Sequence, residues 1–367
     1  MADRDDSQVP GVVLAHSPAS STAYIGSPSL VVLPDGTYLA SHDFFGPGTN
    51  YDRTEIYRSE DRGESWSRVT GMVGQWWSTL FLHRGALYII GTTREYGFAV
   101  IRRSTDGGQT WTEPTDTSSG ILSKTDRYHC APMPVVEHDG RLWRAFELAL
   151  GNRPHWPATV CSAPVDADLL AADSWTWADP YHHFWSNGQW IEGNIVITPE
   201  DTLVNILRAN VGRHAGVEDI APREHAAVLQ VSPDGQRLTH NKSRDLLDFT
   251  GGGVKFTIRY DEVSGKYWSL GSKQTNPTAK RNTLVLTSSP DLYDWTIEST
   301  LLHHDDPEKH AFQYVDWLIE GDDMLVLSRT AYEDGLGGAH NGHDANYLTF
   351  HRVRKFRKRD GDSEILR

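Results

Sequence analysis

Short apolar runs alternate with polar turns along nearly the whole chain. The runs are rich in Val, Ile, Leu, Tyr and Trp, and Gly, Pro, Asp or Asn stand between them. This alternation predicts many short β-strands rather than helices. No run approaches the roughly 20 consecutive apolar residues of a membrane-spanning helix. The pattern therefore predicts an all-β protein without such a span.

The predicted strands fall into six groups, each reading as a strand, a tight turn, a second strand, a longer connection and a third strand. In chain order the groups comprise residues 27–33, 37–43 and 54–59; 78–83, 86–92 and 98–104; 130–137, 142–148 and 158–163; 194–198, 202–209 and 226–232; 255–260, 267–273 and 282–288; and 315–319, 324–330 and 346–352. A repeated group of this kind indicates an architecture built from similar units packed side by side.

Two stretches that follow strands share one sequence motif. Residues 59–66 and 104–111 both read S-x-D-x-G-x-x-W and begin 45 residues apart. The Ser and Asp side chains can bond backbone N–H groups of a tight turn, the Gly supplies a positive φ, and the Trp packs back as an apolar plug. We call these stretches the first clasp (59–66) and the second clasp (104–111). Their period, with strands on both sides, is typical of β-propeller blades.

The two clasps resemble the Asp-box (BNR) repeats of the sialidase superfamily. This resemblance implies a β-propeller fold with Asp-box turns, in which Asp61 and Asp106 belong to the scaffold. A fold does not fix an activity, so the function must be sought in other residues.

Six groups predict a single six-bladed β-propeller domain spanning residues 1–367. Residues 11–17 read as a strand without a partner of its own, and we expect it to complete the last blade and close the ring. Residues 353–367 form a basic tail. A seven-bladed ring is the alternative, and a third is the five-bladed glycosidase propeller, whose S-x-D-L-x-x-W spelling resembles residues 289–295.

The charge balance limits the partners. With 35 Lys and Arg against 49 Asp and Glu, the net charge is −14, which argues against nucleic acid and against an anionic membrane surface. The first six residues carry neither a basic nor an apolar signal-peptide region. Localisation stays open between the cytoplasm and export, and so does the oligomeric state. Cys130 and Cys161 are expected to be free, buried thiols.

The long, polar connections all fall at one end of the predicted propeller, which is where ligands bind on such scaffolds. The residues expected around this mouth are Tyr24, His42, Asp43, Trp76, Trp77, Arg94, Tyr96, Arg127, Tyr128, His129, Trp190, Glu192, Arg208, Lys255, Lys273, Asn276, Gln313, Tyr314, Asp316, Arg329 and Tyr332. Aromatic faces stack on sugar rings, and Arg or Lys pairs with carboxylates. The set predicts an acidic oligo- or polysaccharide as the substrate.

This prediction rests on five basic residues at strand ends of separate blades, which are unexpected in so acidic a chain. They are His42, His129, Arg208, Lys273 and Arg329. The predicted catalytic residues are His42, His129, Arg208, Tyr332 and Glu192, and the predicted substrate-binding residues are Trp77, Trp190, Lys273, Arg329, Gln313, His343 and Asp344. The Trp residues could equally be packing between blades. No metal or other cofactor is expected, although residues 340–344 and the pair His303–His304 offer ligands for a structural Ca or Zn ion.

The chain departs from sialidases at one diagnostic place. That family opens its first blade with Arg-Ile-Pro, the first of three arginines that grip the sialate carboxylate, whereas this chain reads Gly26-Ser27-Pro28. The sequence also assigns no Tyr–Glu nucleophile pair. The layout is more similar to the non-sialidase propellers that act on uronic-acid polysaccharides, namely the rhamnosyl-glucuronate lyases and hydrolases and the ulvan lyases.

That resemblance implies an enzyme that cleaves a glycosidic bond next to a uronate. In elimination, Arg208 with Lys273 or Arg329 would neutralise the carboxylate, His42 or His129 would take the C5 proton, and Tyr332 or the other His would protonate the leaving oxygen. In hydrolysis, Glu192 would pair with Asp43 or Asp316. A sialidase-like glycosidase and a carbohydrate-binding lectin propeller without catalysis are the alternatives.

Overall fold

The computed structural model describes residues 3–150, 156–183, 189–209, 224–274, 281–358 and 365–366. Within these ranges the chain is all-β, with two single-turn 3₁₀ helices and no α-helix. Six antiparallel sheets follow one another in chain order. The predicted six-bladed β-propeller is confirmed, and the fivefold and sevenfold alternatives are excluded. No helix in the described part is long and apolar enough to cross a membrane.

The first three blades take the chain from residue 24 to residue 177. Their strands are β2 (Tyr24–Ile25), β3 (Ser29–Val32), β4 (Tyr38–Phe45), β5 (Arg53–Ser59) and β6 (Ser67–Val73); β7 (Trp76–His83), β8 (Ala86–Thr92) and β9 (Ala99–Ser104); and β10 (Tyr128–His129), β11 (Val136–His138), β12 (Arg141–Leu148), β13 (Ala158–Pro164) and β14 (Thr176–Trp177).

The last three blades complete the ring. Their strands are β15 (Trp190–Ile197), β16 (Leu203–Ala209), β17 (His225–Val231), β18 (Leu238–Thr239) and β19 (Leu246–Asp248); β20 (Phe256–Asp261), β21 (Lys266–Ser272), β22 (Thr283–Ser289) and β23 (Thr296–His303); and β24 (Ala311–Glu320), β25 (Asp323–Ala331), β26 (Tyr347–Val353) and β27 (Ile365–Leu366), joined by β1 (Val12–His16).

The innermost strand of blade three differs from its prediction. Residues 130–137 were expected to form one strand, but only Tyr128–His129 and Val136–His138 pair with β12. Pro132 and Pro134 lie between these two pieces. Because proline has no N–H to donate, it interrupts the ladder at this point.

The ring closes between the first and last parts of the chain. Strand β1 pairs antiparallel with β26, with Val12 opposite Phe350. At the same seam, Glu320 of blade six accepts hydrogen bonds from the Tyr38 hydroxyl of blade one at 2.6 Å and from Arg352 at 2.8 Å. The closed ring leaves few free sheet edges.

Both clasps form the hydrogen bonds that their spelling predicts. Gly63 N–H donates to Ser59 Oγ at 2.8 Å, and Trp66 Nε1 donates to the Gly63 carbonyl at 3.1 Å. The second clasp repeats these bonds with Ser104, Gly108 and Trp111 at 2.9 and 3.0 Å. An added Cβ at Gly63 would lie 2.2 Å from the Phe350 ring. A glycine is therefore needed there both for its positive φ and for the close packing of two blades.

Apolar side chains from neighbouring blades fill the space between sheets. One such cluster joins Leu325, Leu348 and Phe350 of blade six to Tyr38 and Ala40 of blade one. Cys130 and Cys161 are buried free thiols, as expected, and burial raises the pKa of Cys130 to about 12.

Candidate functional site

Three innermost strands share one irregularity. The pairing register shifts between Trp76 and Thr79 in β7, between Ile191 and Asn194 in β15, and between Gln313 and Asp316 in β24. Each bulge contains one non-glycine residue with a positive φ: Trp77 at 49°, Glu192 at 60° and Tyr314 at 53°. Such a backbone is strained by roughly 1–3 kcal/mol and recurs at functional sites. Alternate blades thus present a strained residue from the same kind of position.

A buried polar side chain two residues after each bulge residue ties it to the next blade. Thr79 Oγ1 donates to the Met133 carbonyl at 2.9 Å, Asn194 Oδ1 accepts from Ile258 N–H at 2.9 Å, and Asp316 Oδ2 accepts from Leu30 N–H at 2.8 Å. Beside Tyr314, buried Lys255 and Thr257 of blade five both donate to the Val315 carbonyl. These bonds explain how the ring holds three strained bulges in place.

Two of the bulge residues meet. The Tyr314 hydroxyl donates to Glu192 Oε1 at 2.6 Å, so the bond joins blades four and six across the ring. Arg208 Nη1 donates to Glu192 Oε2 at 3.0 Å. Although burial opposes ionisation, Arg208, His129 and Tyr314 lower the pKa of Glu192. Burial and the Glu192 charge raise the pKa of Tyr314. Near neutral pH the pair is therefore a carboxylate and a neutral phenol.

Three guanidinium groups surround this Tyr–Glu pair. Arg208 bonds Glu192, while the Cζ atoms of Arg329 and Arg281 lie 4.8 and 5.5 Å from the Tyr314 ring centroid. Arg208 comes from blade four, Arg329 from blade six, and Arg281 from the connection that precedes the third strand of blade five. Burial lowers the pKa of Arg281 to about 10, so it remains cationic at neutral pH.

Arg329 is buried and has an N–H donor without a hydrogen-bond partner among the described residues. The residue is 3% exposed and lies over the Phe45 ring at 4.3 Å. Its Nη2 donates to the His343 carbonyl. Within the part of the chain that the structure describes, its buried Nε has no hydrogen-bond partner. Buried donors are normally paired, so this guanidinium is suited to an anionic ligand.

The last long connection supports the cluster from outside. Gln313 Nε2 donates to the Gly342 carbonyl at 2.6 Å, and Arg281 donates to Gln313 Oε1. His343 Nδ1 donates to Asp344 Oδ1 at 2.7 Å. Gln313, His343 and Asp344, which the sequence predicted as ligand contacts, thus lie beside Arg281 and Arg329.

Blade one has no room for the arginine that sialidases place there. An added Cβ at Gly26 would lie 1.7 Å from Asp43 Oδ1. Asp43 itself accepts bonds from the Ser27 and Trp77 N–H groups, each at 2.7 Å, and burial raises its pKa to about 7. The third guanidinium of the cluster comes instead from Arg329 on blade six.

His129 lies next to the Tyr–Glu pair with a carboxylate of its own. Its Nδ1 donates to Glu147 Oε2 at 2.7 Å, and Glu147 Oε1 accepts from Gly193 N–H at 3.3 Å. The ring stacks on Trp156 at 4.7 Å and meets the edge of Trp77 at 4.5 Å. Predicted residues His129 and Trp77 are thus brought together with Glu192.

Four predicted site residues do not join the cluster. His42 is fully buried within blade one, stacks against Tyr57 at 5.6 Å and has its pKa lowered by burial. Trp190 is 1% exposed and packs among aromatic side chains, which is the packing alternative. Lys273 is exposed, and Tyr332 contacts His304 and His310 instead. The expectation that five basic strand ends converge therefore holds for His129, Arg208 and Arg329 only.

The sequence assigned no catalytic or substrate-binding role to three residues of the cluster: Tyr314, which was expected only to line the mouth, Arg281 and Glu147. A signal existed for Tyr314, because Glu192 and Tyr314 occupy the same place in their blades, each followed two residues later by a polar residue within an apolar strand. Arg281 lies in a connection and Glu147 in a strand interior, where no pattern marks them. Asn276, also expected at the mouth, lies outside the described residues.

Metal ligands do not assemble in the described ranges, where no group of three His, Cys, Asp or Glu side chains could hold an ion. His340 and His343 both hydrogen-bond Asp344.

A cavity of about 740 Å³ opens near the tight turns of blades four and five, and its lining is mostly Val, Ile and Pro. Its lining has one carboxylate, Asp201, and one guanidinium, Arg259, but no residue of the Tyr–Glu cluster, so we place the candidate site at the cluster.

Comparisons with known proteins identify the fold. No protein-family model and no curated protein matches the chain. Among solved structures, an α-L-arabinanase of Penicillium chrysogenum complexed with arabinobiose is 16% identical, with a TM-score of 0.61 over 96% of this chain and 99% of that one. An α-L-arabinofuranosidase of Fusarium graminearum is 14% identical, with a TM-score of 0.61 over 94% and 97%. Trypanosoma rangeli sialidase in complex with sialic acid is 14% identical, with a TM-score of 0.59 over 95% of this chain and 58% of that one. The chain therefore has the six-bladed propeller fold of these proteins.

Proposed function

We propose that the protein is a glycoside hydrolase that cleaves the glycosidic bond of a carboxylate-bearing sugar, with Tyr314 as the nucleophile and Glu192 as its base. The observation that carries this proposal is the 2.6 Å hydrogen bond from Tyr314 to Glu192 amid three guanidinium groups. The pair supplies a nucleophile with an adjacent base, and the arginines supply the anion site.

The anion site supports an acidic sugar over a neutral one. Arg329 is buried with an unpartnered Nε among the described residues, and Arg281 lies on the other side of Tyr314. A guanidinium binds a carboxylate through two parallel hydrogen bonds. In a chain of net charge −14, such a local cationic cluster is suited to a specific anion.

Because the arginines lie close to the phenol, the reaction should take place next to the bound carboxylate. Because both guanidinium carbons lie within 5.5 Å of the Tyr314 ring centroid, a bound carboxylate would be held close to the attacking oxygen. The reacting carbon then carries the carboxylate or neighbours it, as in ulosonates and uronates. A neutral phenol approaches such a carbon without the repulsion that a carboxylate nucleophile would meet.

The protonation states favour substitution over elimination. An eliminating base must already be deprotonated, whereas burial and Glu192 raise the pKa of Tyr314. A phenol that attacks can pass its proton to the ionised Glu192 during the same step. Three structurally similar proteins are an arabinanase, an arabinofuranosidase and a sialidase. Their activities agree with the cleavage of a glycosidic bond.

Elimination at a uronate is the second candidate. It is favoured by one observation: His129, hydrogen-bonded to Glu147, is a proton-transfer group close to Glu192, the carboxylate that Arg208 also contacts. In this reaction His129 would take the C5 proton while the guanidinium groups stabilise the carboxylate.

One panel of substrates separates the candidates. The protein is incubated with 4-methylumbelliferyl N-acetylneuraminate, 4-methylumbelliferyl glucuronide, a neutral arabinofuranoside, gum arabic and ulvan. Fluorescence, released reducing sugar and the ultraviolet absorbance of a 4,5-unsaturated uronate are recorded. We expect hydrolysis of an acidic substrate only, and at least about a 10²-fold loss in Arg329→Met but not in the exposed Arg237→Met control.

Other outcomes would contradict the proposal. Preferential hydrolysis of the arabinofuranoside would overturn the carboxylate specificity, and a rise in ultraviolet absorbance would favour elimination. Binding of a glycan without any cleavage would indicate a lectin.

A further inference from the structure

We infer that His129 is the general acid and base for the leaving group and that Glu147 is its positioning residue, in place of the single carboxylic acid that a hydrolase could use. This inference rests on the proposed function. The geometry that carries it is a buried carboxylate on one ring nitrogen of a histidine that lies near Glu192, and no residue that the structure describes hydrogen-bonds the other ring nitrogen.

Glu147 fixes the ring. Its side chain is fully buried, Oε2 accepts from His129 Nδ1 at 2.7 Å, and Oε1 accepts from Gly193 N–H at 3.3 Å. Gly193 directly follows Glu192, so the same carboxylate connects the histidine to the bulge that carries the base of the nucleophile. A carboxylate on Nδ1 sets the tautomer and orientation, and it leaves Nε2 to exchange protons with a reacting oxygen.

The aromatic surroundings define where the leaving group would lie. His129 stacks on Trp156 with ring planes 11° apart, and Trp77 and Tyr96 complete a box whose ring centroids are 4.5 to 6.3 Å from the imidazole. Such faces bind the apolar side of a sugar ring. Among the described residues, the charged and titratable groups near His129 are Glu147, Glu192 and Tyr96.

The proposed steps balance. Tyr314 Oη bonds to the anomeric carbon and passes its proton to Glu192, while the glycosidic C–O bond breaks. The electron pair of the broken C–O bond goes to the leaving oxygen, which takes the proton from His129 Nε2. In the second step water attacks the anomeric carbon and gives a proton to His129. The Tyr314 oxygen leaves and recovers its proton from Glu192, so that one water is consumed.

The test compares leaving groups. Methyl and 4-methylumbelliferyl glycosides of N-acetylneuraminate and of glucuronate are given to the wild type, His129→Gln and Glu147→Gln. A methoxide leaving group needs a proton, and an aryl oxide needs little help. We therefore expect His129→Gln to lose about 10²–10⁴-fold of kcat/KM on the methyl glycoside and less than about tenfold on the aryl one. Azide, which attacks the anomeric carbon without a general base, should raise the kcat of His129→Gln on the aryl glycoside.

Glu147→Gln should show the same selectivity, with a smaller loss, and a displaced alkaline limb of the pH–rate profile, which a purely structural residue would not move. His138→Gln, a histidine on the tight-turn side of the same blade, is the matched control, and melting curves check folding. If Glu147→Gln does not fold, Glu147→Asp and His129→Gln decide.

Equal losses on both leaving groups in His129→Gln, or no loss at all, would overturn the assignment while leaving Tyr314 as the nucleophile. If the wild type cleaves none of the four glycosides, the proposed hydrolase fails, and the acid assignment fails with it.

Discussion

At the residue scale, the site depends on contacts between side chains that are far apart in the sequence. Tyr314 and Glu192 are 122 positions apart and meet at 2.6 Å. At Gly26 a side chain is excluded because Asp43 fills the space where a Cβ would go, and Arg329 of blade six supplies a buried guanidinium. In the proposed reaction Arg329 binds the carboxylate of the sugar, and substitutions at these residues should change chemistry rather than stability.

Replacing Tyr314 by Phe should remove at least about 10³-fold of kcat on the acidic substrate, because the nucleophilic oxygen is lost. The phenyl ring can still lie against Arg329 and Arg281, so KM and the melting temperature should change little. Steady-state kinetics with Tyr88→Phe, a buried tyrosine of blade two, as the control provides the measurement. A Tyr314→Phe protein with more than about a tenth of wild-type turnover would show that another group attacks.

At the element scale, two devices have separate roles. The bulges of β7, β15 and β24 present Trp77, Glu192 and Tyr314, and the clasps fasten one blade to the next. In each clasp the Trp Nε1 bonds the carbonyl of the clasp glycine, Gly63 or Gly108. The bulges serve the site, and the clasps serve the scaffold.

Replacing Trp111 by Ala should therefore lower the free energy of unfolding by about 2–3 kcal/mol, less than for a fully buried ring because this one is half-buried. Denaturant unfolding measures the change, and kcat/KM per folded molecule should stay near the wild-type value. Lost turnover in a Trp111→Ala protein of unchanged stability would mean that the second clasp belongs to the functional face.

At the scale of the whole molecule, the ring depends on its seam between blades six and one. Strand β1 pairs with β26, and Glu320 bonds Tyr38, Arg62 and Arg352. Non-local pairing of this kind ties the N-terminal strand and blade one to the last blade.

Deletion of residues 1–18 should lower the melting temperature by several degrees, because it removes a paired strand rather than an untethered tail. Thermal unfolding followed by circular dichroism is the measurement, with a deletion of residues 1–3 as the control. An unchanged melting temperature would contradict the closing role of β1.

The seam should also be sensitive to acid. Burial opposes ionisation, yet hydrogen bonds from Tyr38, Arg352 and Arg62 lower the pKa of Glu320 from 4.5 to about 2. The folded pKa is the lower one, so this stabilisation is present above pH 4.5 and is lost as the pH falls towards 2. Glu320→Gln should cost about 1–3 kcal/mol of unfolding free energy at neutral pH, and the difference from wild type should shrink below pH 4.5. A difference that does not depend on pH would argue against the ionised seam.

The sequence by itself determined most of the strands, the clasps and the number of blades, because these features depend on local hydrogen bonding and on a period-two apolar pattern within short segments. It also indicated His129, Arg208, Glu192 and Arg329 as residues of one mouth, since all lie at strand ends on the side of the long connections. It could not tell that His42 and Trp190 are buried as packing, because a strand end looks alike in sequence whether it faces the mouth or a neighbouring blade. Only the tertiary structure joined Tyr314 to Glu192, Glu147 to His129 and Arg281 to the cluster. Those contacts are set by the closure of the ring and by strained bulges, and the physical reason is that neither leaves a periodic trace along the chain.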